Sequence, residues 1–359
     1  MRMGSIMAKK KSSFTVSTLS VAVSLFAGGA CGSLVRLALS VLQPADAAWP
    51  FMTMAINLTG AVFLGFITAY MAQLGPDIGL WRVTRLGLGT GLIGGYTTYS
   101  TFMLEVAKRI RGGHVGVALS YLLGSVIFGL LCALLGLAIG KVVGRRRVRL
   151  NALVPVAGGS QRNDRDVADG SKGQSGANAS SVPVDSGNPV ASVGTANAVE
   201  SDGPAEPNRG PLVGVAFVLF ACVVLLALLA NRHYWQNVAA FGLLIAASFI
   251  GGMGAFIRYS VDAWVNNRVH SPFSCGTIVV NLTACLAMGL IVGWCATHAG
   301  TSALQYLLAS GFLGGYSTFS TASVEGAKLM LGGKPGWAFV HTAGMMVASL
   351  ALLLLGMLV

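Results

Sequence analysis

The sequence predicts an all-α membrane protein with nine spans, built as two inverted four-helix repeats joined by an extra transmembrane helix. Three observations lead there. The chain is 54% hydrophobic and only 10% charged, with mean hydropathy +0.71. A soluble domain carries about 25% charged residues, so no ordinary solvated surface can be built from it. Apolar stretches recur at the length of about 20 residues that a bilayer core demands. The chain also repeats itself on the two sides of a long polar segment.

Each element follows in order. Arg2, Lys9, Lys10 and Lys11 precede an apolar run near 14–42, too long for the roughly 7–15 residues of a signal-peptide core; it reads as a first transmembrane helix. Further spans fall near 51–73, 84–107 and 115–143, completing a first four-helix unit over 1–144. Residues 145–210 are rich in Ser, Gly, Asn, Asp and Pro. Such a stretch cannot bury enough apolar surface to offset its ordering entropy, so it is expected to be a disordered cytoplasmic linker. A fifth span near 211–230 has no charged residue from Pro211 to Ala230. Spans near 236–263, 273–296, 303–327 and 336–358 then make a second unit over 231–359.

The two units are copies. LGTGLIGGYTTYSTFMLE at 88–105 and LASGFLGGYSTFSTASVE at 308–325 share nine of eighteen positions, among them Glu105 with Glu325. Asn57-Leu58-Thr59 matches Asn281-Leu282-Thr283, and Arg36 matches Arg258, at offsets of 220 to 224 throughout. Four helices would return the chain to its starting side and leave the copies parallel. The span at 211–230, which has no counterpart, inverts the second copy. Lys and Arg agree: with Met1 in the cytoplasm and Val359 outside, eighteen fall in inner segments and four in outer ones, as the positive-inside rule requires. An eight-span chain would put Arg268, Lys328 and Lys334 outside.

Several function classes drop out. The net charge of +12 sits beside apolar spans without interleaved stacking aromatics, so membrane topology explains it and nucleic acid is not an expected partner. The six cysteines all lie in apolar stretches with no CxxC pair and read as small apolar fillers. Of the twelve acidic residues, only Glu105 and Glu325 approach the spans, near helix ends beside Lys108 and Lys328. A proton-coupled exporter or a cation channel wants carboxylates at mid-helix or in rings. What stands at mid-span is neutral and rich in donors, which favours an anion path. Asn57 and Asn281 can either bond a neighbouring helix or line a pore. Gly94-Gly95-Tyr96-Thr97-Thr98-Tyr99-Ser100-Thr101 reads as close packing through small residues, or as a break whose freed carbonyls need a partner. Two such breaks facing each other would suit a bare monovalent cation.

The repeated G-G-x-[TS]-T-[FY]-S-T pattern, the Asn of the second helix and the Gly-rich first helix ending in Arg resemble the Fluc (CrcB-type) fluoride channels. The likeness covers all eight repeat helices. That family's bacterial members are antiparallel homodimers of four-helix subunits, and its fused eukaryotic members join two units through an extra helix; this chain resembles the fused form. The resemblance implies a structural Na⁺ held by the main-chain oxygens of Gly94, Thr97, Gly314 and Ser317, where a carbonyl ligand tolerates Ser for Thr. It implies an anion pore lined by Asn57, Asn281, Phe102, Phe319, Tyr99, Ser100, Ser320, Tyr121 and Ser125, with Arg36 and Arg258 at a vestibule. In the second unit Ala322 stands in place of a ring, and His341 and Met345 in place of Tyr121 and Ser125.

The reading is a passive fluoride-selective channel of the cell membrane that exports cytoplasmic fluoride. It is not an enzyme, works as a single fused chain in a lipid bilayer and has one of its two pores functional. Asn amides and hydroxyls can replace the water around fluoride, and ring edges carry positive quadrupole density toward it. A small-molecule antiporter built on inverted repeats is the alternative.

Overall fold

The computed structural model describes residues 3–44, 47–75, 77–153 and 237–359, with side chains from Thr18 in the first helix and to Arg149 in the fourth. The span expected at 211–230 and the linker from 154 onward lie outside the described residues. Every regular element among those described is helical. In the first half these are α1 (Met3–Ser40), α2 (Phe51–Gln73), α3 (Gly79–Arg85), a π-helical stretch (Leu86–Ile93), α4 (Gly94–Tyr96), α5 (Ser100–Arg111) and α6 (Val115–Leu153). In the second they are α7 (Val238–Asn266), α8 (Cys275–Thr297), α9 (Ser302–Gln305), a π stretch (Tyr306–Leu313), α10 (Gly314–Tyr316) and α11 (Phe319–Leu331). The fourth helix of that half is α12 (Pro335–Phe339), a π stretch (Val340–Gly344) and α13 (Met345–Gly356).

Among the described residues, six helices are long and apolar enough to cross a membrane. The third of each half is missing from that number because it is broken, between α4 and α5 and again between α10 and α11. One boundary changes. α6 runs through Arg145–Arg149 to Leu153, so the first nine residues assigned to the linker are helical. Its tail is tied to α2, where the Arg147 guanidinium donates to the Tyr70 hydroxyl at 3.2 Å.

Small residues decide how closely the helices pack, as in membranes generally. α1 crosses α7 at Gly29, where an added Cβ would come within 2.5 Å of the Ala255 Cβ and 3.2 Å of the Gly252 Cα. α2 lies along α6, and α8 along α13. The packing is also exchanged between halves: α5 touches α8 and α13, and α11 touches α2 and α6. The core therefore sits where the two broken helices meet, around Tyr99, Phe102, Tyr121, Met288, Phe319 and Met345.

Candidate functional site at the crossed helix breaks

Each break begins as one residue turns extended: Thr97 at φ −92°, ψ 152° and Ser317 at φ −81°, ψ 158°. The main chain leaves helical hydrogen bonding there, and buried amides need other partners. The second-helix asparagines supply them. Asn57 Nδ2 donates to the Thr98 carbonyl at 3.0 Å, and the Thr98 N–H donates to Asn57 Oδ1 at 3.0 Å. Asn281 repeats this with Thr318 at 3.1 and 3.0 Å. Of the two roles open to these residues in the sequence, the bonds seen are those of the first, a hydrogen-bonded clasp on a neighbouring helix, and among the described residues Asn57 keeps one Nδ2 hydrogen beyond it.

The breaks then lock onto each other. Thr97 Oγ1 and Ser320 Oγ lie 2.9 Å apart, and so do Ser317 Oγ and Ser100 Oγ. Thr97 Oγ1 also accepts from the Ser320 N–H at 3.4 Å, while Ser317 Oγ accepts from the N–H groups of Tyr99 and Ser100 at 3.2 and 3.1 Å. The hydroxyl at each break thus caps the outgoing helix of the other half, which is how orphan helix-start amides are satisfied. Ser100 and Ser320, expected in the pore, are committed to this joint. Thr97 and Ser317, expected to matter through their carbonyls, also act through their side chains.

The arginines require a correction. Expected at a vestibule, Arg36 and Arg258 are 2% and 3% exposed. Arg36 Nε donates to the Gly95 carbonyl at 3.2 Å, and its guanidinium carbon would lie 2.7 Å from a Cβ at Gly314. Arg258 donates to the Thr90 carbonyl of the other half and lies against Gly94. A glycine is the one residue that leaves room for a planar guanidinium there, and carbonyls near the break give it acceptors.

The same glycines were expected to hold a cation. The Thr98 and Thr318 N–H groups, whose helical acceptors would be the Gly94 and Gly314 carbonyls, go to the asparagines instead. The freed main-chain oxygens suit a small monovalent ion, although the adjacent guanidiniums add charge that it must tolerate. Among the described residues no cluster of His, Cys, Asp or Glu could hold a metal.

Beside the joint lie the rings. The Phe102 ring is 5.6 Å from Phe319 at 87°, and 5.2 Å from Tyr121 at 79°. Ser125, one turn beyond Tyr121 on α6, is 2% exposed with no hydrogen-bond partner for its hydroxyl. Tyr99 in turn lies against Phe102 at 5.8 Å and Phe319 at 6.3 Å, and a cavity of about 20 Å³ is lined by Tyr99, Phe319, Ala322, Thr342 and Met345. The intact ring pair is thus in contact with the Tyr121 ring, while Ala322 and Met345 border a cavity that Tyr99 and Phe319 also border.

Carboxylates play more of a part than the sequence suggested. Glu105 accepts from Thr53 Oγ1 at 2.7 Å and from the Tyr121 hydroxyl at 2.8 Å. Glu325 faces His341 Nε2 at 3.5 Å. Asp262, overlooked among the acidic residues near the spans, sits inside α7 and accepts from Asn266 Nδ2 at 3.1 Å. The recurrence of glutamate at 105 and 325 was the available clue to the first two. None of the five described cysteines is in a disulfide.

Comparison with known proteins fits this duplicated architecture. The family model described as "CrcB-like protein, Camphor Resistance (CrcB)" matches residues 23–137 and again 245–357, together well over half the chain. A fluoride-specific ion channel FluC 2 of Leifsonia xyli is 38% identical over 123 residues, which is 34% of this chain and 85% of that protein. FluC 1 of Mycobacterium bovis is 41% identical over 124 residues, 34% of this chain and 92% of its own length. FluC of Chlorobium phaeobacteroides is 34% identical over 120 residues, 32% and 89% of the two chains. Each relative is about the length of one half. No solved structure matches.

Proposed function

The chain belongs to the CrcB family, and we propose that its two halves form an inverted pair enclosing one working fluoride pathway. It is a multi-pass membrane protein and a fluoride channel, as its relatives are named. That family is not a class of enzymes, and the antiporter alternative finds no support among the relatives.

The inverted pairing draws support from the reciprocal bonds at the joint. Residue 97 meets 320 and residue 100 meets 317, so the chain advances in one half as it retreats in the other. The nine-span count rests on the charge distribution and on the unmatched apolar segment at 211–230. A structural Na⁺ on the carbonyls of Gly94, Thr97, Gly314 and Ser317 is supported by the helical partners that the first of each pair has lost. It would hold the two breaks together; everything else at the joint is done by this chain's own groups.

One observation carries the proposal of a single pathway: Phe102 lies in edge contact with both Phe319 and Tyr121, so the complete ring pair touches the residue that begins the complete track. Fluoride is small and strongly hydrated, so it leaves water only where other donors replace it. Here they are the Ser125 hydroxyl, the second Nδ2 hydrogen of Asn57 and the ring edges. Fluoride efflux from proteoliposomes tests this. Phe319→Ile is expected to lower flux by about tenfold or more, the worth of one good contact to an ion. Tyr99→Ile is expected to stay within about threefold of wild type, below that worth. Equal losses would mean that both pathways conduct.

A further inference from the structure

The two halves treat the same amide differently. In the first, Asn57 Nδ2 donates only to the Thr98 carbonyl among the described residues, so one of its two hydrogens is uncommitted. Ser125 is equally uncommitted, buried and without a partner. Idle donors in a low-dielectric interior are costly unless something comes to accept from them. In the second half Asn281 Nδ2 donates to the Thr318 carbonyl at 3.1 Å and also to Met345 Sδ at 3.5 Å. By the offset of 220 that relates Tyr121 to His341, Met345 is the counterpart of Ser125.

We infer that Met345 is a plug: its thioether takes the Asn281 hydrogen that the first half leaves for a passing anion, and closes the second pathway at that point. This inference rests on the single-pathway reading above. A thioether sulfur accepts weakly and donates nothing, so Met345 consumes one donor and presents lone pairs where fluoride would need a proton. It also fills space. Met345 is 3% exposed, and what remains beside it is a cavity of about 20 Å³ lined in part by Tyr99, Phe319, Ala322 and Thr342. That is close to the room a single water needs, on the order of 10–15 Å³. The rest of the second pathway is not hostile to anions, since the Tyr99 hydroxyl is buried there with no partner. The Asn281 clasp on the break is as short as that of Asn57. What closes this side is local, and local substitutions reverse it.

An exchange between the halves tests the plug, read as fluoride efflux from proteoliposomes of the full chain. Ser125→Met is expected to cut flux by about tenfold or more, and by more than Ser125→Ala, because methionine adds an obstruction to the lost donor. Combining Ser125→Met with Met345→Ser and Ala322→Phe is expected to restore flux through the other side. If Ser125→Met costs no more than Ser125→Ala, methionine at this position does not plug and the inference fails. If the triple variant elutes as a monodisperse, folded protein and still does not conduct, Met345 is not what closes the second side. Should the triple variant misfold, Met345→Ser in the Ser125→Met background decides, since a plug removed must raise that residual flux. Failure of the single-pathway reading shows separately, as Phe319→Ile leaving flux intact.

Discussion

The two broken helices are fastened alike and lined differently. Each break is clasped by an asparagine, each caps the other half's outgoing helix, and each tyrosine of the Gly-Gly-Tyr turn meets a second-helix threonine, Tyr96 with Thr59 at 3.1 Å and Tyr316 with Thr283 at 3.0 Å. Beyond the joint the match ends: Tyr99, Phe102, Tyr121 and Ser125 of the first copy answer to Phe319, Ala322, His341 and Met345 of the second. The joint is a single object to which both copies contribute, so damage to either copy loosens the whole. The pathway proposed above needs only one complete lining, so the other copy's is free to drift.

The comparison would break most completely if the halves were not inverted. Reporter fusions are expected to place Met1 in the cytoplasm and Val359 outside. Both termini on one side would remove the nine-span chain and the pairing that makes the halves comparable.

The next largest effect concerns the fastening. Asn57→Ala and Asn281→Ala each leave a buried N–H and a buried carbonyl unpaired, at about 1–3 kcal/mol per group. Both variants are expected to melt well below wild type, by similar amounts, in detergent. Wild type is further expected to melt higher in NaCl than in N-methylglucamine chloride at equal ionic strength, and the Asn substitutions to shrink that difference. A melting temperature indifferent to Na⁺ would count against the proposed ion. Unequal melting of the two variants would show that the clasps are not equivalent.

A smaller effect sharpens the difference in lining. Tyr121→Phe deletes a hydroxyl that donates to Glu105 at 2.8 Å and is expected to lower fluoride flux by about fivefold to tenfold, the worth of one ordinary hydrogen bond. His341→Phe, on the plugged side, is expected to leave flux within about twofold, well under that worth. A larger loss from His341→Phe in the same efflux assay would move conduction to the second half.

Much of this was legible in the residues themselves. The helical class followed from hydropathy, the duplication from LGTGLIGGYTTYSTFMLE and LASGFLGGYSTFSTASVE, and the break from glycines and β-branched threonines inside a span. The clasp made by Asn57 was not, because clasp and pore lining use the same amide and only the position of Thr98 reveals the clasp. Arg36 and Arg258 were misplaced for a related reason: an arginine at the end of an apolar helix reads as reaching water, and nothing local to it reveals a glycine of the other half with room for its guanidinium. Asp262 falls inside the apolar span read at 236–263, so its place was legible, but its partners Asn266, Ser274 and Thr277 come together only once α7 and α8 are packed.

Sequence by itself determined the pieces: membrane helices, two copies, the break, and a second copy short of a ring and two polar groups. Those properties are set by composition and by local backbone preference, which the chain carries in its order. Tertiary structure alone decided which pieces meet, because Phe102 comes from α5, Phe319 from α11 and Tyr121 from α6, and contact between side chains so distant in sequence exists only once the two breaks cross. It also decided that Met345 reaches Asn281 while Ser125 leaves Asn57 a free hydrogen, a difference of side-chain length at equivalent positions that becomes chemistry only when the helices are a few ångströms apart.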